Sequence, residues 1–477
     1  MDILYVASEV APFSKTGGLG DVLGALPQAL AALGHSVAVV TPRYGTIDPV
    51  ARRLERLDGA VRVHGQATTV WVAPGRAPVY FVEHEGWFGS RKALYGERGH
   101  DYADNAQRFA FFTRAALALP AALGRRPRIV HLNDWQAGLA PWLLRHDHEG
   151  DPALARAKSV FTIHNLAYQG VFPKATVPAL GLPWEVFRWD AMEFHDSLNF
   201  LKAGLAFADA LTTVSPTYAK EILGPEQGFG LDPLLRHRAA DLTGILNGID
   251  VHLWDPRTDP HLYTHYSAED LAGKAACKAA LQRELGLPVR ADAPLLAVVS
   301  RLAAQKGLDL LAAILPTLLR KDLQLVVLGS GAPEYETLFA HLARERPDRM
   351  AARIGFDEPL AHRIEAGADL FLMPSRYEPC GLNQMYSLRY GTVPVVRAVG
   401  GLDDTVEDYD GWRQGTGFKF RELTPEAFLV AVQRALDAWR DARAWRELVR
   451  RGMAEDNSWE HSARAYEALY ERLAEGR

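Results

Sequence analysis

Ile3-Leu4-Tyr5-Val6, then Lys15-Thr16-Gly17-Gly18-Leu19-Gly20-Asp21, then the stretch Val22–Leu33 decide how this chain folds. The four-residue apolar run reads as a buried strand. The glycines break it with a turn, and apolar residues then recur at helical spacing until Gly34, a stop signal. Strand, turn and helix in that order open a parallel α/β unit. Outward from there the order repeats. Strands are expected at Ser36–Thr41, Val79–Val82, Ile129–Leu132, Ser159–Ile163 and Ala210–Val214. The pattern restarts with strand Leu295–Ser300, helix Leu308–Leu319 and strand Leu323–Leu328, followed by strands Leu370–Met373 and Val393–Val396. The fold class is α/β, with two doubly wound units in tandem. Their boundary falls near Asp241–Asp250, where a short strand mixes with turn residues. Asp255–Ser267 reads as a surface loop, and Trp459–Leu473 as a closing amphipathic helix.

Composition narrows the class. The chain has 477 residues, long enough for two large domains. With 53 Lys and Arg against 58 Asp and Glu, the net charge of −5 gives no support to a general nucleic-acid binder and leaves room for a local basic site for one small phosphate ligand. Two distant cysteines, Cys277 and Cys380, make neither a disulfide framework nor a zinc spacing, and fit a reducing compartment. Residues 1–7 carry no basic region ahead of an apolar one, so no signal peptide is expected. The apolar stretch Phe109–Leu123 contains Arg114 and is too short to span a bilayer. The expectation is a cytoplasmic protein with neither membrane nor nucleic acid as a partner.

Five strand ends carry polar or glycine-rich groups. Lys15 with the Gly17-Gly18-Leu19-Gly20 turn offers backbone N–H groups, a helix N-terminus and a mobile cation to an anion. It is not the dinucleotide fingerprint, because Leu23 stands where a third glycine is needed. Arg301 and Lys306 follow strand Leu295–Ser300 and supply a planar fork and a compact charge suited to a diphosphate. Glu378, in Ser375-Arg376-Tyr377-Glu378-Pro379-Cys380-Gly381-Leu382, stands just ahead of a helix and is placed to accept hydrogen bonds from hydroxyls. His164 and Asp134 close two further strands. Taken singly, each has an ordinary structural explanation: turn punctuation, solvated cations, a first-turn acid, a strand-end histidine. Taken together, groups on both units imply a cleft that receives a sugar joined to a diphosphate.

The motifs resemble those of bacterial glycogen synthases and plant starch synthases. The matching blocks are Ala7–Val22, His131-x-Asn133-Asp134-Trp135, Thr162-x-His164-Asn165-Leu166, Thr213–Ala219, Asn247-Gly248-Ile249-Asp250, Ser300-Arg301-Leu302-x-x-Gln305-Lys306-Gly307, Glu378–Leu382, Arg389–Thr392 and Gly400–Val406. The resemblance implies a retaining glycosyltransferase of the GT-B arrangement, two facing Rossmann-like domains with the active site in the cleft. It implies transfer of glucose from ADP-glucose to the non-reducing 4-OH of an α-1,4-glucan, with no cofactor and no metal. It assigns residues 1–243 to an acceptor-side domain, 244–456 to a nucleotide-sugar domain and 457–477 to a helix packing back on the first.

By the same resemblance, Arg301 and Lys306 bind the diphosphate, and Lys15, Gly17 and Gly18 complete its cradle. Glu378 and His164 meet the glucose. Asp134 and Asn247 contact substrate, and Cys380, Gly381 and Leu382 present backbone near the sugar or phosphate. Eight positions after Glu378, where many retaining GT-B enzymes carry a second Glu, this chain has Tyr386, as glycogen and starch synthases lack that acid too. A covalent route needs a carboxylate nucleophile at the anomeric carbon. A front-face path, with the departing phosphate taking the acceptor's proton, is the expectation. The rivals are another GT-B activity, such as a nucleotide-sugar epimerase or a phosphorylase, the latter needing a pyridoxal phosphate lysine and a longer chain, and a non-catalytic glycan-binding protein on the same fold.

Overall fold

The strand β1 (Asp2–Val6) forms where the sequence is continuously apolar, and Ile3 to Val6 are at most 1% exposed. Burial on both faces is what a central strand of a helix-covered parallel sheet requires. In this computed structural model, which describes residues 1–476 apart from His64, Arg98, Trp412 and Arg413, β1 lies between two parallel neighbours. These are β2 (Ser36–Pro42) and, once the hairpin β3 (Glu55–Val63), β4 (Gln66–Ala73) and the strand β5 (Val79–Val82) have been passed, β6 (Ile129–Asn133). Then come β7 (Lys158–Ile163), β8 (Ala210–Thr213) and β9 (Leu242–Gly244). The nine strands run in the order β9-β8-β7-β6-β1-β2-β5-β4-β3. The order reverses at β1, the place where open α/β sheets receive ligands.

This sheet departs from an all-parallel expectation at one edge. There β3 and β4 are antiparallel to each other, and β4 is antiparallel to β5. The charged residues of Glu55–Val63 break the apolar signal, which an edge strand does not need.

The chain divides into a first unit, Met1–Gly248 with Trp459–Arg477, and a second, Ile249–Ser458. Within the first, α1 (Gly18–Ala32) opens after Gly17 with no side-chain cap. Its first N–H groups are therefore left for solvent or a ligand. The C-terminal helix, Trp459–Glu475, packs on α1 and reaches the sheet, with the Tyr470 hydroxyl 2.6 Å from that of Tyr5.

The second unit has six parallel strands: β10 (Leu295–Val299), β11 (Gln324–Gly329), β12 (Met350–Ile354), β13 (Leu370–Met373), β14 (Val393–Arg397) and β15 (Phe418–Phe420). Their order is β12-β11-β10-β13-β14-β15, and it reverses at β10. Leu295, Ala297, Val326, Leu328, Phe371 and Val396 form its core with Leu281, Ile364 and Leu402 from covering helices.

Asp255–Ser267 is irregular and largely at the surface, as read, but it is anchored inward at Asp259 and Tyr266. Asp259 accepts a hydrogen bond from the Tyr390 hydroxyl at 2.5 Å and pairs with His362 Nδ1 at 2.7 Å. The Tyr266 hydroxyl donates to the Tyr390 carbonyl at 2.8 Å. Asp259 and Tyr266 turn inward to partners more than 100 positions away, which composition alone does not show. Among the described residues no helix is long and apolar enough to cross a membrane.

Candidate active site

In the first unit the loop after β1 is braced by an acid that the motif reading passed over. Glu9, 3% exposed, accepts hydrogen bonds from the Thr16 N–H, the Thr16 hydroxyl and the Tyr95 hydroxyl, each at 2.6 Å. Gly17 is extended, and a side chain there would meet open space. Gly18 begins the helix and is exposed. Lys15 lies 2.7 Å from Asp21, the acid in the first turn of α1. Such a solvent-exposed pair is worth at most about 1 kcal/mol.

Asp134 follows β6 and adopts φ 56°, ψ −176°, a region open mainly to glycine. Its backbone N–H donates to the Thr162 carbonyl at 3.0 Å, which ties the end of β6 to β7. Its Oδ1 accepts the His164 N–H at 2.8 Å. Burial pushes the Asp134 carboxyl up to about 7, against the opposing pull of the His164 and Asn165 N–H groups.

His164 follows β7, and its Nε2 lies 2.9 Å from Asn133 Oδ1. Asn133 donates through Nδ2 to the Val6 carbonyl at 3.2 Å, so its oxygen is the atom that faces His164. Nε2 of His164 is then the donor and Nδ1 a lone-pair acceptor. Burial lowers the imidazole to about 3, which keeps it neutral near pH 7. Asn133 stands in the same short motif as Asp134, and that position was its only sequence signal. Asn247, three residues beyond β9, is buried, and its Oδ1 has no partner among the described residues.

In the second unit Lys306 Nζ lies 2.6 Å from Glu378 Oε2, which also accepts from the Ser375 hydroxyl at 3.0 Å. Lys306 closes a short turn after β10, and Glu378 follows β13, the adjacent strand. Two strand ends adjacent in the sheet but 72 positions apart in sequence therefore meet at one ion pair. Arg301 is exposed on the same turn, with its guanidinium 3.4 Å from Gln305 Oε1.

The Glu378 loop is held by close backbone packing. Gly400 has φ +44°, and a Cβ there would come within 2.0 Å of the Glu378 carbonyl oxygen. Gly401 donates its N–H to that carbonyl at 3.2 Å. Gly381 has φ +70°, which turns the chain into the helix Asn383–Arg389 behind Leu382. Gln384 Nε2 donates to the Cys380 and Gly381 carbonyls, each at 3.0 Å. The Cys380 side chain is buried.

The sequence-named residues thus gather in sets within each unit: Lys15 with Gly17 and Gly18, Asp134 with His164, and Lys306 with Glu378 through Leu382. Two doubly wound α/β units, each with polar groups gathered at the carboxyl ends of its parallel strands, are the architecture of the two-domain GT-B glycosyltransferases.

Comparison with known proteins places the chain more closely. The starch synthase catalytic domain family matches residues 2–237, and glycosyl transferases group 1 matches residues 286–451. The chain is 72% identical to the glycogen synthase of Anaeromyxobacter dehalogenans over 100% of both chains. It is 53% identical to that of Myxococcus xanthus over 99% of both. Among solved structures it is similar to the catalytic domain of starch synthase IV from Arabidopsis thaliana bound to ADP and acarbose, with TM-score 0.92, 36% identity and 99% of each chain covered. Sucrose-phosphate synthase from Thermosynechococcus elongatus, at TM-score 0.63 and 21% identity over 100% of both chains, shares the fold. The chain belongs to the glycogen and starch synthase family.

Proposed function

We propose that the chain transfers glucose from ADP-glucose to the non-reducing 4-OH of an α-1,4-glucan with retention at the anomeric carbon. The observation that carries this reading is the Lys306–Glu378 pair at 2.6 Å on adjacent strand ends, with Arg301 on the same turn. The full-length likeness to a glycogen synthase, and to a starch synthase that binds ADP, supports the donor and acceptor.

Arg301 and Lys306 attract the diphosphate and stabilise the charge that grows on it as the C1–O bond breaks. Lys15 leaves Asp21 for the diphosphate, and the Gly17 and Gly18 backbone completes its cradle. Glu378 accepts hydrogen bonds from glucose hydroxyls. Both of its known contacts, from Lys306 and Ser375, fall on Oε2, which leaves Oε1 to face the sugar. With Tyr386 where a second carboxylate would stand, the acceptor 4-OH attacks C1 from the face that ADP leaves. The bonding pair of the broken C1–O bond departs with the phosphate oxygen, and that oxygen takes the acceptor's proton.

His164 accepts a glucose hydroxyl at Nδ1. Asp134 fixes the His164 backbone, and Asn247 brings its unpaired Oδ1 to the substrate. The backbone of Cys380, Gly381 and Leu382 meets the sugar or phosphate. Lys15, Arg301 and Lys306 supply the positive charge that other glycosyltransferases take from a metal, so dialysis against EDTA leaves the rate unchanged. The protein works in the cytoplasm.

Glucose incorporation into glycogen from ADP-glucose and from UDP-glucose, for wild type and Glu378→Ala, tests the reading. Transfer from ADP-glucose that is lost in the variant supports it. Transfer mainly from UDP-glucose overturns the donor, and glycogen binding without transfer overturns the activity. A trapped glucosyl-Glu378 adduct would overturn the front-face route.

A further inference from the structure

Two side chains at the start of the helix Asn383–Arg389 hold the strand ends of the second unit's site. Asn383 Nδ2 donates at 2.7 Å to the carbonyl of Val299, the last residue of β10 and two positions ahead of Arg301. Gln384 Nε2 donates to the Cys380 and Gly381 carbonyls of the Glu378 loop. This helix therefore sets where Lys306 and Glu378 meet, and what fixes the helix fixes the pair.

The far end of the helix is held by a segment that the site itself does not use. Trp254 lies flat between two rings. One is Tyr386 on this helix, with centroids 3.8 Å apart and planes at 12°. The other is His362 on the helix Glu358–Gly367, at 3.7 Å and 10°. His362 is itself pinned. Its Nδ1 lies 2.7 Å from Asp259 Oδ2, and both side chains are at most 1% exposed. A carboxylate only accepts, so Nδ1 carries the proton. Nε2 is buried and has no partner among the described residues, so the carboxylate and the stack orient the ring. Beside the stack, Asp255 Oδ2 accepts from Arg389 Nη2 at 3.2 Å.

Apolar contact is non-directional, whereas stacked rings fix tilt as well as separation. Tyr386 stands eight positions beyond Glu378, where many retaining GT-B enzymes carry a second acid. Here that position is packed: Tyr386 is 7% exposed and lies on the indole. Trp254 is 8% exposed with both faces covered, so it reaches no ligand. Resting on the proposed activity, we infer that Trp254 is a positioning residue for glucose transfer. Through Tyr386 and the helix Asn383–Arg389 it holds the end of β10 and the Glu378 loop in the register that the Lys306–Glu378 pair requires.

The test uses the full chain with Trp254→Leu, which keeps an apolar side chain but loses the plane, and Trp254→Phe, which keeps a plane. Two quantities are read at a temperature where circular dichroism shows the variants folded. They are kcat for transfer from ADP-glucose and the rate at which iodoacetamide alkylates Cys380, followed by peptide mass. Trp254→Leu is expected to lower kcat by about tenfold. It is expected to raise Cys380 alkylation by about threefold or more, because Cys380 is 4% exposed in a loop that the Gln384 hydrogen bonds keep closed. Trp254→Phe stays within about twofold of wild type in both. In a Glu378→Gln background Trp254→Leu costs no further turnover, since the group it positions is already gone. A kcat for Trp254→Leu within about twofold of wild type overturns the role. So does an undiminished loss in the Glu378→Gln background, which is what a smaller folded fraction would give. If Trp254→Leu does not fold, Arg389→Gln, which cuts the helix from Asp255, is read by the same two quantities with the same expectations. Failure of the activity is read separately. If the wild type transfers no glucose from ADP-glucose, the catalytic reading falls and alkylation decides alone: a rise in Trp254→Leu but not in Trp254→Phe upholds the positioning of the loop, and equal rates in all three proteins overturn it.

Discussion

The Lys306–Glu378 pair carries both a structural and a chemical burden. The Lys306 side chain is 20% exposed and that of Glu378 7%. Removing one member leaves the other's charge unpaired in a partly buried position, a loss of about 1–3 kcal/mol. Lys306→Met and Glu378→Gln are each expected to lower thermal stability. The double variant regains most of it, because both charges leave together, but its kcat stays down by about 10²-fold or more. Calorimetry and initial rates on the three variants separate the effects. Recovery of turnover in the double variant would remove both residues from the chemistry.

Asp134 yields a pH prediction of definite sign. Its carboxyl is held at about 7 in the fold, against about 3.9 in an unfolded chain. The folded state therefore binds the extra proton, and this contribution to stability is present at low pH and is lost as pH rises from about 4 to 7. Asp134→Asn cannot ionise, and its amide oxygen can still accept the His164 N–H. Relative to wild type the variant gains stability between pH 5 and pH 8, by about 2–3 kcal/mol. Urea midpoints at the two pH values measure the swing, and an equal offset at both would place the ionisation elsewhere.

Among the elements, the C-terminal helix Trp459–Glu475 shows best what sequence does and does not reveal. Its amphipathic period is plain in the residues. The strands it covers were equally legible, because a buried parallel strand is a continuous apolar run. What could not be read is the polar row under the helix. Tyr5 and His131 face each other in register on β1 and β6, as Thr162 and Thr212 do on β7 and β8. His131 lies 2.5 Å from both the Tyr470 hydroxyl and the Thr162 hydroxyl, and the latter is 2.5 Å from that of Thr212. Burial holds the His131 imidazole well below its usual range, hence neutral. Four strands and a helix from the far end of the chain build this row, and no local pattern encodes such a sum.

The same limit applied at the site. The glycine loop, both cations and Glu378 stood out by type and place. Glu9, Asn133 and Gly400 act through partners, and partners are set by topology. Tyr470→Phe removes one hydroxyl from the buried row and leaves two groups short of a partner. Its expected cost is about 1–3 kcal/mol, read as a lower melting temperature of the full chain, and no change in melting would show the row to be dispensable.

Across the whole molecule, the first unit is discontinuous: the chain leaves it at Gly248 and returns at Trp459. The second unit, by contrast, is one segment with its own six-stranded sheet and core. Residues 249–458 alone should therefore melt cooperatively. Residues 1–248 alone should not, because Trp459, Ala463, Tyr466, Leu469 and Tyr470, all at most 6% exposed, are missing from the surface they bury. The exit and return points lie side by side, since the Ile249 N–H donates to the Asn457 carbonyl at 2.8 Å and Ile249 bridges Ser458. A short Gly/Ser linker can therefore join Gly248 directly to Trp459. That fusion is expected to recover a single cooperative transition and to lose the dye-binding apolar surface of residues 1–248. Circular dichroism melts and dye fluorescence on the three proteins decide it. A cooperative melt for residues 1–248 without the helix would mean that the nine-stranded sheet and its other helices suffice, and that the buried tyrosine row contributes little to holding the unit together.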